Sequence, residues 1–200
     1  MRRYAFPFAV LWLLAPGLGL NGFAQAPQSS AQGFAPLELT LAYSADRTNG
    51  LVGGCGCFWM KGGKAETSAY FGRGFSVVAE MAGEHADKIN SSGESLSFVS
   101  YLFGPRFSFR AQSRLTPFAQ FLAGGVHGFD ALFPGYAAAP PDAFAFATGG
   151  GLNVRFSRRF ALRLVQAGYF QTDLPNDGNN RQNHLRISGG IIFRFGENRR

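Results

Sequence analysis

Apolar and polar residues alternate with a period of two along five stretches of this chain, the pattern of strands whose two faces meet different environments. Leu37, Leu39, Leu41 and Tyr43 alternate with Glu38, Thr40, Ala42 and Ser44. Phe75, Val77, Ala79 and Met81 alternate with Ser76, Val78, Glu80 and Ala82. Val99, Tyr101, Phe103, Phe107 and Phe109 stand against Ser100, Leu102, Gly104, Arg106 and Ser108. Phe144, Phe146, Thr148, Leu152, Val154 and Phe156 stand against small residues, Asn153 and Arg155. Leu185, Ile187, Gly189, Ile191, Phe193 and Phe195 stand against Arg186, Ser188, Gly190, Ile192 and Arg194. Three further strands are weaker. Residues 64–71 set Ala65, Thr67, Ala69 and Phe71 against Lys64, Glu66, Ser68 and Tyr70. Residues 116–126 leave the phase open, because Phe118 and Phe121 fall on opposite faces. Residues 160–170 slip near Val165 and Gln166, where a bulge is expected.

The connections alternate in length. Long ones are predicted from Asp46 to Gly63, His85 to Glu94, His127 to Asp142 and Thr172 to Asn183; short ones fall at 72–74, 111–115 and 157–159. That rhythm predicts an all-β, up-and-down antiparallel barrel of eight strands, with tight turns at one end and long loops at the other.

Alternation does not say which face is wet, since a soluble barrel hides its apolar face inside. The polar face carries Glu38, Glu66, Glu80, Arg106, Arg155, Arg163, Arg186 and Arg194 among Ser, Gly and Ala. Small residues and charges of both signs suit a narrow lumen of paired side chains, where isolated charge would be costly. Tyr43, Phe75, Phe109, Phe156, Phe160 and Phe195 are placed at strand ends, as an interfacial aromatic girdle requires. Both features favour a transmembrane barrel, with apolar residues outward and hydrophilic ones within.

Composition agrees. Charged residues make up only 16% of the 200, while Phe numbers 22 and Gly 27, and these two are poor helix formers. Beyond position 20 no apolar run approaches the ~20 residues of a spanning helix. The first 26 residues read as a signal peptide: Arg2 and Arg3, an apolar stretch over 4–20, then small residues permitting cleavage after Ala24 or Ala26. Removing it lowers the formal net charge from +7 to +5. A polar leader over 27–34, a barrel over 35–196 and a short tail over 197–200 complete the division. In an exported chain Cys55 and Cys57 are a possible disulfide or a pair of free thiols; their closeness would strain a bridge.

The end of the chain adds a resemblance. In SGGIIFRF at 188–195, Ser188, Gly190, Phe193 and Phe195 match the signal that the outer-membrane assembly machinery reads on a last strand. With FGPRF at 103–107 and GGGLNVRF at 149–156, residues 35–196 resemble the small OmpA-like outer-membrane β-barrel family. The resemblance implies a bacterial outer-membrane location, with the N-terminus on the periplasmic side. It also implies assembly machinery and periplasmic chaperones as partners in biogenesis, and outer-membrane lipids and lipopolysaccharide as the surroundings.

Eight strands leave an interior just wide enough for side chains to fill, so a diffusion pore is not expected. With no compelling catalytic constellation in the sequence, the expected role is non-enzymatic: envelope integrity, or loops presented for surface contact, by a monomer without cofactor or metal and without nucleic acid. The alternatives are a narrow ion channel and a lipid-modifying enzyme. The enzyme would need a Ser–His pair with an acid at the outer leaflet, and His85, His127, His184, Ser91, Ser92, Asp87 and Asp130 are all expected at the long-loop end. A metal site on Cys55, Cys57 and the histidines is a weaker alternative. Arginines 73, 110, 114, 158, 159, 199 and 200 mark the turn end, as solubilising turns or as attractants for anionic lipid phosphates.

Overall fold

A computed structural model of the chain describes residues 37–48, 57–71, 74–87, 95–109, 113–129, 142–174 and 181–196. Outside them lie the predicted leader segments and tail, Cys55, Arg73, Arg110, Ser91, Ser92, Asp130, Arg199 and Arg200. The described residues form eight strands: β1 (Leu37–Thr48), β2 (Phe58–Tyr70), β3 (Phe75–Ala86), β4 (Leu96–Ser108), β5 (Leu115–Gly128), β6 (Asp142–Arg155), β7 (Phe160–Thr172) and β8 (Gln182–Phe195). Each pairs antiparallel with the next, and β8 returns to β1 from Leu37↔Phe195 to Thr48↔His184, closing an up-and-down barrel. Closure matters because an open edge would leave a row of backbone N–H and C=O groups without partners.

Strand phase follows the sequence alternation. Met81, Tyr101, Phe103, Phe121, Leu164, Leu185 and Ile191 are exposed on the outer wall, while Glu66, Glu80, Ser100, Arg106, Arg163 and Ser188 are buried inside. The expected bulge occurs in β7: its register with β8 shifts between Arg163 and Gln166, and Leu164 and Val165 both face outward. The one extra residue returns Gln166 to the lumen beside Arg163.

Three expectations need correction, and one open reading resolves. The first connection is not Asp46 to Gly63, because β1 continues to Thr48 and β2 starts at Phe58, with Asp46 opposite Met60. Asp46 looked like loop because it is charged; it is instead an inward residue with a cation partner. The open phase of β5 resolves with Phe118 inside at 3% exposure and Phe121 outside. Phe118 points in because the guanidinium carbons of Arg106 and Arg163 lie 4.5 and 4.7 Å from its ring centre, a favourable cation–π arrangement. Gly151 leaves it room, since a Cβ there would come within 2.8 Å of the ring. Tyr43 is not at a strand end but at mid-wall, opposite Gly63 and Gly189. Phe75, Phe109, Phe156, Phe160 and Phe195 do ring the turn end, while Trp59, Phe129 and Phe144 stand exposed at the loop end.

The third correction concerns the lumen, which is not polar throughout. Phe58, Met60, Leu96, Phe98, Leu122, Val126, Phe170 and Leu174 turn inward and form one apolar cluster, closing the loop end above the charges. The cluster appears where inward positions near strand ends carry no charge to pair, so apolar side chains fill the space instead.

Candidate functional site

The charged groups of the lumen form a stack. At the turn-end mouth, Arg194 Nε donates to Glu38 Oε1 at 2.8 Å and Tyr70 Oη to Glu38 Oε2 at 3.0 Å. Above them, Glu66 accepts two parallel bonds from Arg163, Nη1 at 2.9 Å and Nη2 at 3.0 Å, and pairs with Arg106 Nη2 at 2.6 Å. Arg106 also donates to Ser68 and Gln120, and Arg163 to Asn153. Fork-to-fork pairing of this kind fixes geometry as well as charge.

The upper tier is Lys64, Glu80, Arg186, Asp46 and Glu84. Lys64 Nζ lies 2.9 Å from Glu80. Arg186 reaches Asp46 at 3.0 Å, Glu80 at 3.2 Å and Glu84 at 3.0 Å, with its guanidinium carbon 3.9 Å from the Phe170 ring centre. Gln166 Oε1 accepts from Lys64 Nζ at 3.0 Å and Arg163 Nη1 at 2.8 Å, joining the tiers. Five carboxyls (Glu38, Asp46, Glu66, Glu80, Glu84) thus face five cations (Lys64, Arg106, Arg163, Arg186, Arg194). The upper tier carries one carboxyl more than it has cations, the Glu66 tier one cation more, and the Gln166 bridge joins them. Balance of this sort limits the desolvation penalty of burying charge.

Of the lumen residues read from the sequence, Arg155 is half-buried at the end of β6. The sequence reading sets Lys64 and Asn153 on polar faces and Gln166 at the bulge without naming them in the charge network, and it does not single out Asp46, Glu84 or Gln120 as lumen residues. Lys64 shares the parity of Glu66, and Asp46 and Glu84 continue the parities of Ser44 and Ala82 beyond the strand ends assumed. The space left between Glu80, Gln120, Gln166, Phe170 and Arg186 is a cavity of about 20 Å³, room for roughly one water.

The predicted last-strand signal lies in β8. Ser188 is buried inside, whereas Phe195 is exposed outside. A Cβ on Gly190 would fall 2.1 Å from the Leu41 carbonyl oxygen, so close packing against β1 requires glycine there. Cys57 is exposed just before β2, and its pairing with Cys55 lies outside the described residues.

The three histidines do not gather in loops. His184 belongs inside the barrel, 1% exposed, its ring 5.1 Å from Phe170 and 6.0 Å from Phe98. The alternation of β8 carries it inward, two positions before Arg186. His127 lies on the outer rim, with Nδ1 2.8 Å from Asp142 Oδ1. His85 lies opposite Ser97 on β4, a residue sequence reasoning did not single out. Its Nδ1 is 2.7 Å from Ser97 Oγ and its Nε2 2.9 Å from Asp87 Oδ1. No group of three metal-ligating side chains occurs among the described residues.

A closed eight-stranded wall, apolar outside and filled by paired charges inside, defines the class of small transmembrane β-barrels. No known family model matches this chain, and no curated protein matches it. Solved structures do. Neisserial surface protein A is 13% identical with a TM-score of 0.58, over 80% of this chain and 97% of that one. Ail, the attachment invasion locus protein of Yersinia pestis, in complex with the heparin analogue sucrose octasulfate, is 16% identical with a TM-score of 0.54, over 80% and 97%. OprG from Pseudomonas aeruginosa is 8% identical with a TM-score of 0.51, over 80% and 95%. The chain therefore has the fold of the small, OmpA-like outer-membrane β-barrels.

Proposed function

We propose that this chain is a non-enzymatic integral protein of the bacterial outer membrane that serves envelope integrity or surface contact, its loops outward and its N-terminus on the periplasmic side. It works as a monomer among phospholipid and lipopolysaccharide, reaches the membrane through periplasmic chaperones and the barrel-assembly machinery, and does not engage nucleic acid. The observation that carries this reading is the filled lumen. Arg106, Arg163 and Arg186 span it with both ends of their charge occupied, and the apolar cluster around Phe98 and Phe170 closes the loop end. Such an interior suits a rigid scaffold that holds loops in place better than it suits a channel.

The rival reading, a lipid-modifying enzyme, has one observation in its favour: the run Ser97–His85–Asp87 on the outer rim. It lacks the sheltered acid that orients a catalytic histidine, since the Asp87 side chain is 92% exposed. Ser97 also stands in a regular strand pair rather than on a turn that would present it with free N–H groups. Deleting the chain from its host should raise sensitivity to bile salts or lower attachment to surfaces, with lipid A masses unchanged. No change in either phenotype contradicts the proposal. An acyl chain on lipid A whose loss depends on Ser97 would put the enzyme in its place.

A further inference from the structure

The turn end carries a cleft of about 830 Å³ between the β6–β7 turn and the last residues of β8. Its composition is two-sided. Arg158, Arg159 and Arg194 supply guanidiniums, and Phe160, Phe193 and Phe195 supply an aromatic wall. Phe160 and Phe193 meet edge to face at 5.6 Å, and Phe160 and Phe195 are each 49% exposed on the outer surface.

The turn is built rather than loose. Ser157 Oγ accepts from the backbone N–H of Arg159 at 3.3 Å and of Phe160 at 3.0 Å. The Arg159 carbonyl in turn accepts from the Arg194 N–H at 2.9 Å. Arg158 and Arg159 are thereby held beside Arg194.

Arg194 is the telling residue. Its side chain is only 9% exposed, and Nε is satisfied by Glu38. Its Nη1, enclosed in the same place, has no hydrogen-bond partner among the described residues. A desolvated guanidinium nitrogen without an acceptor is costly, and Arg194 is one of the residues that line the cleft. Among the described residues Glu38 neutralises Arg194 once, and Arg158 and Arg159 leave the cleft with surplus positive charge. A second cleft of about 290 Å³, lined by Arg114, Arg155 and Arg158, adjoins it through Ser157 and Arg158 and extends the basic rim.

From this geometry we propose that the cleft holds the headgroup phosphate of an anionic glycerophospholipid in the leaflet that meets the turn end. The phosphate oxygens accept from Arg194 Nη1 and from the Arg158 and Arg159 guanidiniums, and the acyl chains lie along Phe160, Phe193 and Phe195. Planar guanidinium forks are suited to phosphate, and the aromatic wall faces where acyl chains run. The inference rests on the membrane-barrel reading and names a ligand for one end of it.

The test is native mass spectrometry of the folded protein released from detergent micelles doped with phosphatidylglycerol or phosphatidylcholine. The wild-type chain should retain phosphatidylglycerol preferentially. Arg158→Gln with Arg159→Gln should lower that retention about thirtyfold, the effect of two surface cations. Arg194→Lys, which keeps the charge beside Glu38 but removes Nη1, should weaken it further while the barrel still migrates as a folded band on an unheated gel. Equal retention of both lipids, or retention unchanged in both variants, overturns the proposal. So does displacement of the lipid by inorganic phosphate alone at equal concentration, which would make a free anion the ligand. A chain that stayed folded and monomeric without detergent would instead defeat the membrane reading itself.

Discussion

Replacing Glu66 by Ala should lower the unfolding free energy of the barrel by about 3–5 kcal/mol, the range expected when one member of a buried ion pair is removed. Glu66 is 1% exposed and is shared by Arg106 and Arg163, which flank Phe118 from two strands. Without its carboxylate two guanidiniums face each other in the lumen with only Ser68, Gln120, Asn153 and Gln166 to receive their N–H groups. Glu66→Gln keeps the volume and one acceptor oxygen, so its loss should be smaller. Thr67→Ala, one position along on the outer face, should shift the midpoint by no more than about 0.5 kcal/mol. Urea unfolding in lipid vesicles, followed by the fluorescence of Trp59, measures all three. If Glu66→Ala behaved like Thr67→Ala, the lumen would not be held by this pairing.

The second large effect lies on the opposite face. Met81→Arg should destabilise the barrel in a bilayer by about 2–4 kcal/mol, the cost of an arginine at the membrane midplane. Met81 is 61% exposed at mid-strand, opposite Tyr101 and Ala65. On a protein surface in water the same change would be close to neutral. The size of the effect therefore reports which solvent the outer wall meets. A near-zero effect for Met81→Arg in vesicles would place that wall in water.

How much of this was legible beforehand follows from what a period of two encodes. Parity assigns faces, so Arg106, Arg163, Arg186 and Glu80 could be read as sharing a lumen from their alternation with Phe, Leu and Ile. The bulge near Gln166 was legible because the period visibly breaks there. Parity carries no information on where a strand stops. Asp46 reads as loop, and His184 as a rim residue at the loop end, because a polar residue at a strand end looks the same whether it faces water or a buried partner. Nor does parity reveal cross-strand pairs. That His85 meets Ser97, or that Phe118 sits between two guanidiniums contributed by β4 and β7, depends on the stagger of neighbouring strands, which turns and bulges set. The apolar cluster at the loop end was hidden for a related reason. Phe58, Met60, Phe98 and Phe170 carry the residue types of the outer wall, and only the register shows them turned inward.

The outer wall of the barrel meets acyl chains. The chain from residue 27 onward with Trp59→Phe and Phe103→Trp carries a single tryptophan, on a position that is 62% exposed at mid-wall. In vesicles made with lipids brominated at different depths, its fluorescence should be quenched most by bromines near the middle of the bilayer. Fluorescence that no brominated lipid quenches, in a chain that remains folded, would contradict the account.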